Sequence, residues 1–334
     1  MAQSNYLKSL VRAHAQGDDP AFREATQRLI DDESRKGHRL VARDLRRLID
    51  GGGAFAPPMP GPRRRSLPMP VDEERGLPLA EVRRPRFGLE RAVLREDSSE
   101  TLRLLVEDYA ARDIFASYGI EPKRRVLFFG PPGCGKTLTA EALAGELGLP
   151  LLYVRFDSLV SSYLGQTAAN LRKLFDFAAS ASWVVLFDEF DALGRSRDDP
   201  GEHGELKRVI NSILQLMDGF RGESLLIAAT NHEQALDPAL WRRFDEIMNF
   251  EAPHERGRQS MLRKFLAGLT FKENDLRVIA SDTDGLTGSD LERVTTEAAK
   301  QMILAHRDAI TLDDLLFGLK RQRQRIALAQ TSEN

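Results

Sequence analysis

Two clusters of residues could do phosphate chemistry. Residues 130–137 read Gly-Pro-Pro-Gly-Cys-Gly-Lys-Thr, and about 50 residues further on the apolar run Val184-Val185-Leu186-Phe187 delivers adjacent carboxylates, Asp188-Glu189. The first cluster has the spacing G-x-x-x-x-G-K-[ST], in which glycines let backbone N–H groups turn inward on a phosphate. A helix beginning there adds the positive end of its dipole. On this reading Gly130, Pro131, Pro132, Gly133, Cys134, Gly135, Lys136, Thr137 and Leu138 cradle a nucleotide, Lys136 reaches the β- and γ-phosphates, and Thr137 supplies a hydroxyl to magnesium. Asp188 would be the second magnesium ligand, and Glu189 would polarise an attacking water. A third apolar run, Leu225 to Ala229, ends in Thr230-Asn231. An amide there, both donor and acceptor, could sense the γ-phosphate and the water, although asparagine also simply caps turns.

The elements that must hold these groups follow from the apolar pattern. Val126 to Phe129, Leu151 to Val154, Trp183 to Phe187 and Leu225 to Ala229 read as buried strands. Between them fall helical segments: Leu102 to Phe115, Leu138 to Leu147, Ala168 to Ala179 with Leu171, Leu174, Phe175 and Ala178 on one face, and Leu206 to Met217. Alternation of this kind predicts an α/β fold, a mostly parallel sheet between helices with its chemistry at the C-terminal strand ends. After Pro253 the strand pattern stops. Arg256 to Leu266, Glu273 to Ala280, Ser289 to Ala305 and Leu312 to Ile326 read as a small helical domain.

The N-terminal part has a different texture. Residues 1–50 carry three short amphipathic stripes, the middle one Phe22, Ala25, Leu29 and Ile30 after the cap Asp19-Pro20. They suggest a small helical recruitment domain, with a packing appendage as the alternative. Residues 51–80 are dense in glycine and proline around Arg63-Arg64-Arg65, a composition that stays extended and solvated and reaches ~90 Å at about 3.1 Å per residue. The expected division is therefore 1–50 helical, 51–85 linker, 86–252 α/β core and 253–334 helical lid with tail.

Bulk properties exclude several classes. The 334 residues, 42% of them hydrophobic, can fill a real core, and 48 basic against 50 acidic side chains argue against a wholesale polyanion binder. No run approaches the ~20 apolar residues that span a bilayer. The one cysteine, Cys134, cannot form an intramolecular disulfide, which suits a reducing cytoplasm. It reads as a small residue at a variable loop position, with a redox brake on nucleotide binding as the alternative. His203 has no companion for a metal, and neither H-E-x-x-H nor G-x-S-x-G occurs.

Taken in order, GPPGCGKT, VVLFDEFD, AATN, LDPALWRRFD and GLTGSDL resemble the motifs of the AAA family of ATPases over roughly residues 86–320. The resemblance implies a P-loop core with a lid closing over adenine, ATP and Mg²⁺ as ligands, and hydrolysis to ADP and phosphate. It also implies a homo-oligomeric ring, usually a hexamer, in which Arg242 and Arg243 reach a neighbour's site as arginine fingers. Tyr163 and Leu164 stand where threading members present an aromatic residue to a central pore; an ordinary core position is the alternative for Tyr163. Asp191 to Gly204 is similar to a second pore loop, and Asp218-Gly219-Phe220 to a segment that relays nucleotide state between neighbours. Gln166 departs from the glutamate usual at its position. Gly288 stands where other branches carry a sensor arginine, which implies the protein-remodelling branch. The expected function is thus a cytoplasmic unfoldase acting on a polypeptide client. A short helical N-terminus with A-L-W-R-R-F-D is also similar to chains paired with a subtilisin-like serine protease. A nucleic-acid motor or transposition helper, and an ATP-gated scaffold, are the rival readings.

Overall fold

The computed structural model describes residues 13, 19–35, 68–73, 75–155, 164–190, 212–231 and 241–331. The outer two N-terminal stripes, Tyr163, the segment from Asp191 to Gly204 and residues 232–240 lie outside these. Two compact units divide the chain, Met1–Ser66 and Leu67–Asn334. In the first, helix α1 (Asp19–Arg35) buries Ala25, Thr26 and Ile30 along one face, with Phe22 and Leu29 half-buried beside them. The Thr26 hydroxyl is satisfied by donating to the Phe22 carbonyl at 2.8 Å.

The second unit is built on a six-stranded sheet: β1 (Ala80–Arg83), β2 (Arg125–Phe129), β3 (Leu151–Val154), β4 (Val184–Phe187), β5 (Leu225–Thr230) and β6 (Glu246–Asn249), in the spatial order β1-β3-β4-β5-β2-β6. All pairings are parallel except β1 with β3. Every residue of β4 and β5 is buried, as continuous apolar runs require when helices cover both faces. Successive side chains alternate between those faces. Leu127, Leu152, Val185, Phe187, Leu226 and Ala228 pack with Leu171, Leu174, Phe175 and Ala178 of α5 (Leu164–Ala179). On the other face Val126, Phe128, Leu151, Leu186 and Ile227 meet α2 (Glu96–Ala110) through Leu102 and Leu105, and α4 (Lys136–Glu146) through Ala140 and Leu143.

Three expectations need correction. The solvated linker does not run to residue 85: Val71 bridges to Pro78, Asp72 is buried with its carboxylate accepting from Asn170 Nδ2 at 2.7 Å, and Ala80–Arg83 is an edge strand on β3. Backbone pairing at a sheet edge, where outward polar side chains are tolerated, outweighs the proline-rich composition here. The expected single helix over 102–115 begins earlier and breaks at Ala111, giving α2 and the short α3 (Arg112–Ser117). β6, Glu-Ile-Met-Asn, adds a strand whose two adjacent apolar residues are too short a run to announce one.

The C-terminal helices α6 (Glu255–Phe265), α7 (Glu273–Asp282), α8 (Gly288–Leu304) and α9 (Leu312–Thr331) close on their own core of Leu262, Ile279, Leu291, Val294, Ala298 and Leu315. Buried Arg258 ties α6 to α7, donating to the carbonyls of Ala280 at 2.8 Å and Pro253 at 2.9 Å and to Asp284 at 2.8 Å. No described helix is long and apolar enough to cross a membrane.

Candidate active site

The loop between β2 and α4 takes its shape from two glycines. A Cβ on Gly130, which has φ 133°, would lie 2.0 Å from the Phe250 carbonyl oxygen, so only glycine lets the loop leave β2 alongside β6. Gly133, at φ 77°, faces the lid: an added Cβ would sit 2.7 Å from Thr287 Oγ1 and 3.1 Å from Ser289 Cβ. The Ser289 N–H donates to the Gly133 carbonyl at 3.1 Å, so the first turn of α8 rests on the phosphate loop. That turn is set by a capping box between Thr287 and Asp290, and α9 fastens it when Gln322 donates to Asp290 at 2.7 Å.

Lys136 begins α4 and is buried; its ammonium curls back to donate to the carbonyls of Gly130 at 2.6 Å and Pro131 at 2.8 Å. Next to it Thr137 Oγ1 donates to Asp188 Oδ2 at 2.6 Å, joining the start of α4 to the end of β4. Asp188 Oδ1 accepts the Glu189 N–H at 2.9 Å. Glu189 adopts φ 53°, a left-handed conformation unusual for a residue with a side chain. Strain of this kind, on the order of 1–3 kcal/mol, collects where a turn must aim a functional group. Asn231 follows β5, the strand between β4 and β2, so it emerges between the acidic pair and the phosphate loop.

These groups line one end of a cleft of about 940 Å³ with Pro132 to Thr139, Asp188, Glu189, Asn231 and Gly288 around it. Its other end is walled by Arg91 to Leu94 and by lid residues Met261, Phe265, Ala299 and Ile303. Lys264 crosses that wall, donating to the carbonyls of Ala92, at 3.2 Å, and Glu90; burial first, then the Arg91 charge, pull its pKa down. The family resemblance implied a lid over adenine but none of these residues. Their one available signal was the helical stripe Glu292, Thr295, Thr296, Ala299 and Ile303 along α8, which is only partly accounted for by the lid core.

Cys134 is buried, and that burial pushes its thiol pKa up against the opposing pull of Lys136. A thiol held protonated is a poor nucleophile, which leaves the redox reading without support. Arg242 and Arg243 do not line the cleft of their own chain. Arg242 is exposed, while Arg243 donates to Asp218 at 2.5 Å. Arg125 bridges the same Asp218 at 3.3 Å to Asp245 at 2.7 Å. Leu164 is the first residue of α5, its side chain outside the described residues.

Size and polarity suit a nucleotide, with donors at one end and an apolar slot at the other. A hydroxyl and a carboxylate 2.6 Å apart are the hard oxygen donors that magnesium takes when phosphates complete its shell. Fold and site together define an ATPase of the P-loop type with a helical lid. Residues 126–252 match the model for the ATPase family associated with various cellular activities (AAA), and residues 273–317 match the AAA+ lid domain. An uncharacterized AAA family ATPase, y4kL, of Sinorhizobium fredii is 38% identical over 331 residues, 98% of this chain and 97% of its own. The proteasome-activating nucleotidase of Pyrococcus abyssi is 40% identical over 211 residues, 61% of this chain and 53% of its own. That of Thermococcus kodakarensis is 39% identical over 230 residues, 65% and 58% respectively. The chain spans a little over half the length of these nucleotidases. It belongs to the AAA family of ATPases.

Proposed function

We propose that this ATPase binds ATP with magnesium in the cleft between sheet and lid and hydrolyses it as a homo-oligomeric ring that works on a polypeptide. The observation that carries the reading is the convergence of Lys136, the Thr137–Asp188 bond and Glu189 at one end of a single cleft. The loop N–H groups and the start of α4 take the phosphates. Lys136 exchanges the Gly130 and Pro131 carbonyls for phosphate oxygens. Thr137 and Asp188 hold magnesium, which when bound neutralises charge on the phosphates. Glu189 accepts a proton from water as that water attacks, and Asn231 fixes the water's orientation. Arg242 and Arg243 act on a neighbour's γ-phosphate, an arrangement supported by their absence from their own chain's cleft.

The polypeptide client rests on the nucleotidases that resemble the chain, whose name ties them to a proteasome. Tyr163 and Leu164 are its proposed grip, residues 1–50 a recruitment domain, and the cytoplasm the setting. Nothing found favours a subtilisin-like protease as the partner, and it forms no part of the proposal. The test is a pair of variants. Lys136→Ala loses ATP binding, whereas Glu189→Gln keeps binding and loses turnover by roughly 10²-fold or more. Undiminished hydrolysis by either variant overturns the site.

A further inference from the structure

We propose that Lys264 is a positioning residue for the nucleotide: its ammonium fixes the strip of residues 91–94 against helix α6 and so sets the width of the slot at the lid end of the cleft. The inference rests on the reading of that cleft as the ATP site.

The strip issues from a single 3-10 turn, Leu89–Arg91. In that turn the Arg91 N–H donates to the Gly88 carbonyl and the Ala92 N–H to the Leu89 carbonyl, both at 3.1 Å. The carbonyls of Glu90 and Ala92 accept no backbone N–H among the described residues. They are the orphan acceptors that a short helix leaves at its C-terminal end. Lys264 supplies both bonds, one to Glu90 and one to Ala92 at 3.2 Å. An ammonium has three donors and no acceptor, so one side chain can serve two carbonyls. The start of the turn is tied separately, where the Leu89 N–H donates to Glu146 at the end of α4 at 3.1 Å.

Packing does not hold the middle of the strip. Leu89 and Leu94 pack against the sheet core. Ala92 and Val93 between them border both the nucleotide cleft and a second cavity of about 280 Å³, and Lys264 borders the same two spaces. A backbone flanked by open space lacks the dispersion contacts that would fix it, so its hydrogen bonds must.

Lys264 also stands on the helix that makes the facing wall. Met261, three residues earlier on α6, shares its face, and Phe265 follows it; both line the slot. A side chain that bonds one wall from the helix supplying the other fixes the distance between them. The phosphate-loop groups Lys136 and Thr137 make their bonds at the opposite end. The effect of Lys264 is therefore confined to the part of the ligand that enters the slot.

The full-length chain carrying Glu189→Gln, to stop turnover, provides the reference. ATP and inorganic tripolyphosphate are each titrated by calorimetry with Mg²⁺ present. The same titrations are made with Lys264→Met, which keeps the stem and deletes the ammonium, and with Lys264→Arg, which keeps charged donors. Equal melting temperatures verify the fold. Expected for Lys264→Met is an ATP affinity about tenfold weaker, the scale of one lost charge-assisted bond, with tripolyphosphate bound as in the reference. Lys264→Arg recovers most of the ATP affinity. Unaltered ATP affinity in Lys264→Met, an equal loss for tripolyphosphate, or Lys264→Arg no better than Lys264→Met overturns the proposal. If Lys136→Ala binds ATP as well as the reference does, the cleft reading fails too, which separates the two failures.

Discussion

The two ends of the cleft are made differently. At the phosphate end single atoms decide the geometry: a lysine ammonium on two carbonyls, a hydroxyl 2.6 Å from a carboxylate, a glutamate at φ 53°. At the lid end, beside the Lys264 ammonium on the Glu90 and Ala92 carbonyls, Met261, Phe265, Ala299 and Ile303 offer shape and apolar surface from two helices. Chemistry needs the first kind of construction because charge must be placed to a fraction of an ångström. Recognition of a flat base tolerates the second. The ends meet at one point, where Ser289 donates to the Gly133 carbonyl.

That meeting point is where the contrast can be broken most severely. Gly133→Ala puts a Cβ 2.7 Å from Thr287 Oγ1 and forces a left-handed conformation on alanine, a strain of about 1–2 kcal/mol before the lid moves at all. Nucleotide affinity should fall at least about tenfold, read by equilibrium binding, with the melting of the sheet core little changed. Unaltered affinity would mean that the lid does not bear on the phosphate loop when nucleotide is bound.

Much of the phosphate end was legible in the sequence because its signals are local. A run such as Val184 to Phe187 that ends in Asp188-Glu189 reads as a buried strand that delivers two carboxylates, and β4 is buried throughout with both of them lining the cleft. The apolar face of α5 was likewise readable from helical spacing, since Leu171, Leu174, Phe175 and Ala178 all enter one core. What stayed hidden depends on distant partners. β1 follows a proline-rich stretch and becomes a strand only because β3 offers an edge. Arg243 meets Asp218 across 25 positions, a contact that no periodicity encodes. The wall from Arg91 to Leu94 has no motif, since it contributes surface rather than a specified donor or acceptor.

A milder change sharpens the contrast at the other end. Met261→Ala removes apolar wall from the slot without touching a phosphate contact. Loss of a few methylene-sized contacts corresponds to a rise in KM of about three- to tenfold, with kcat unchanged. A fall in kcat instead would show that the lid end takes part in the chemical step, and the division of labour would fail.

The smallest effect concerns acid. At the start of α9 the Arg307 guanidinium, at 2.6 Å, is the main influence on Asp314; burial opposes it and bonds from Thr311 assist, and the carboxyl is held down to about 2 from its ordinary 3.8. A carboxyl with a lowered folded pKa stabilises the fold fully above its unfolded value and progressively less as pH falls toward the folded one. The contribution is therefore intact above about pH 4 and fades between about 4 and 2. Beside β6, partial burial pushes the Asp245 carboxyl up, yet Arg125 and the N–H groups of Arg124 and Arg125 hold it below its ordinary value. Asp245 thus loses its stabilising effect in the same direction. Thermal melts of the wild type and Asp314→Asn should differ above pH 4 and converge toward pH 2, the lid helices losing hydrogen-exchange protection first as the bond to Arg307 is titrated away. A gap that stays constant down to pH 2 would show that Asp314 acts through α9 capping geometry alone, independent of its charge.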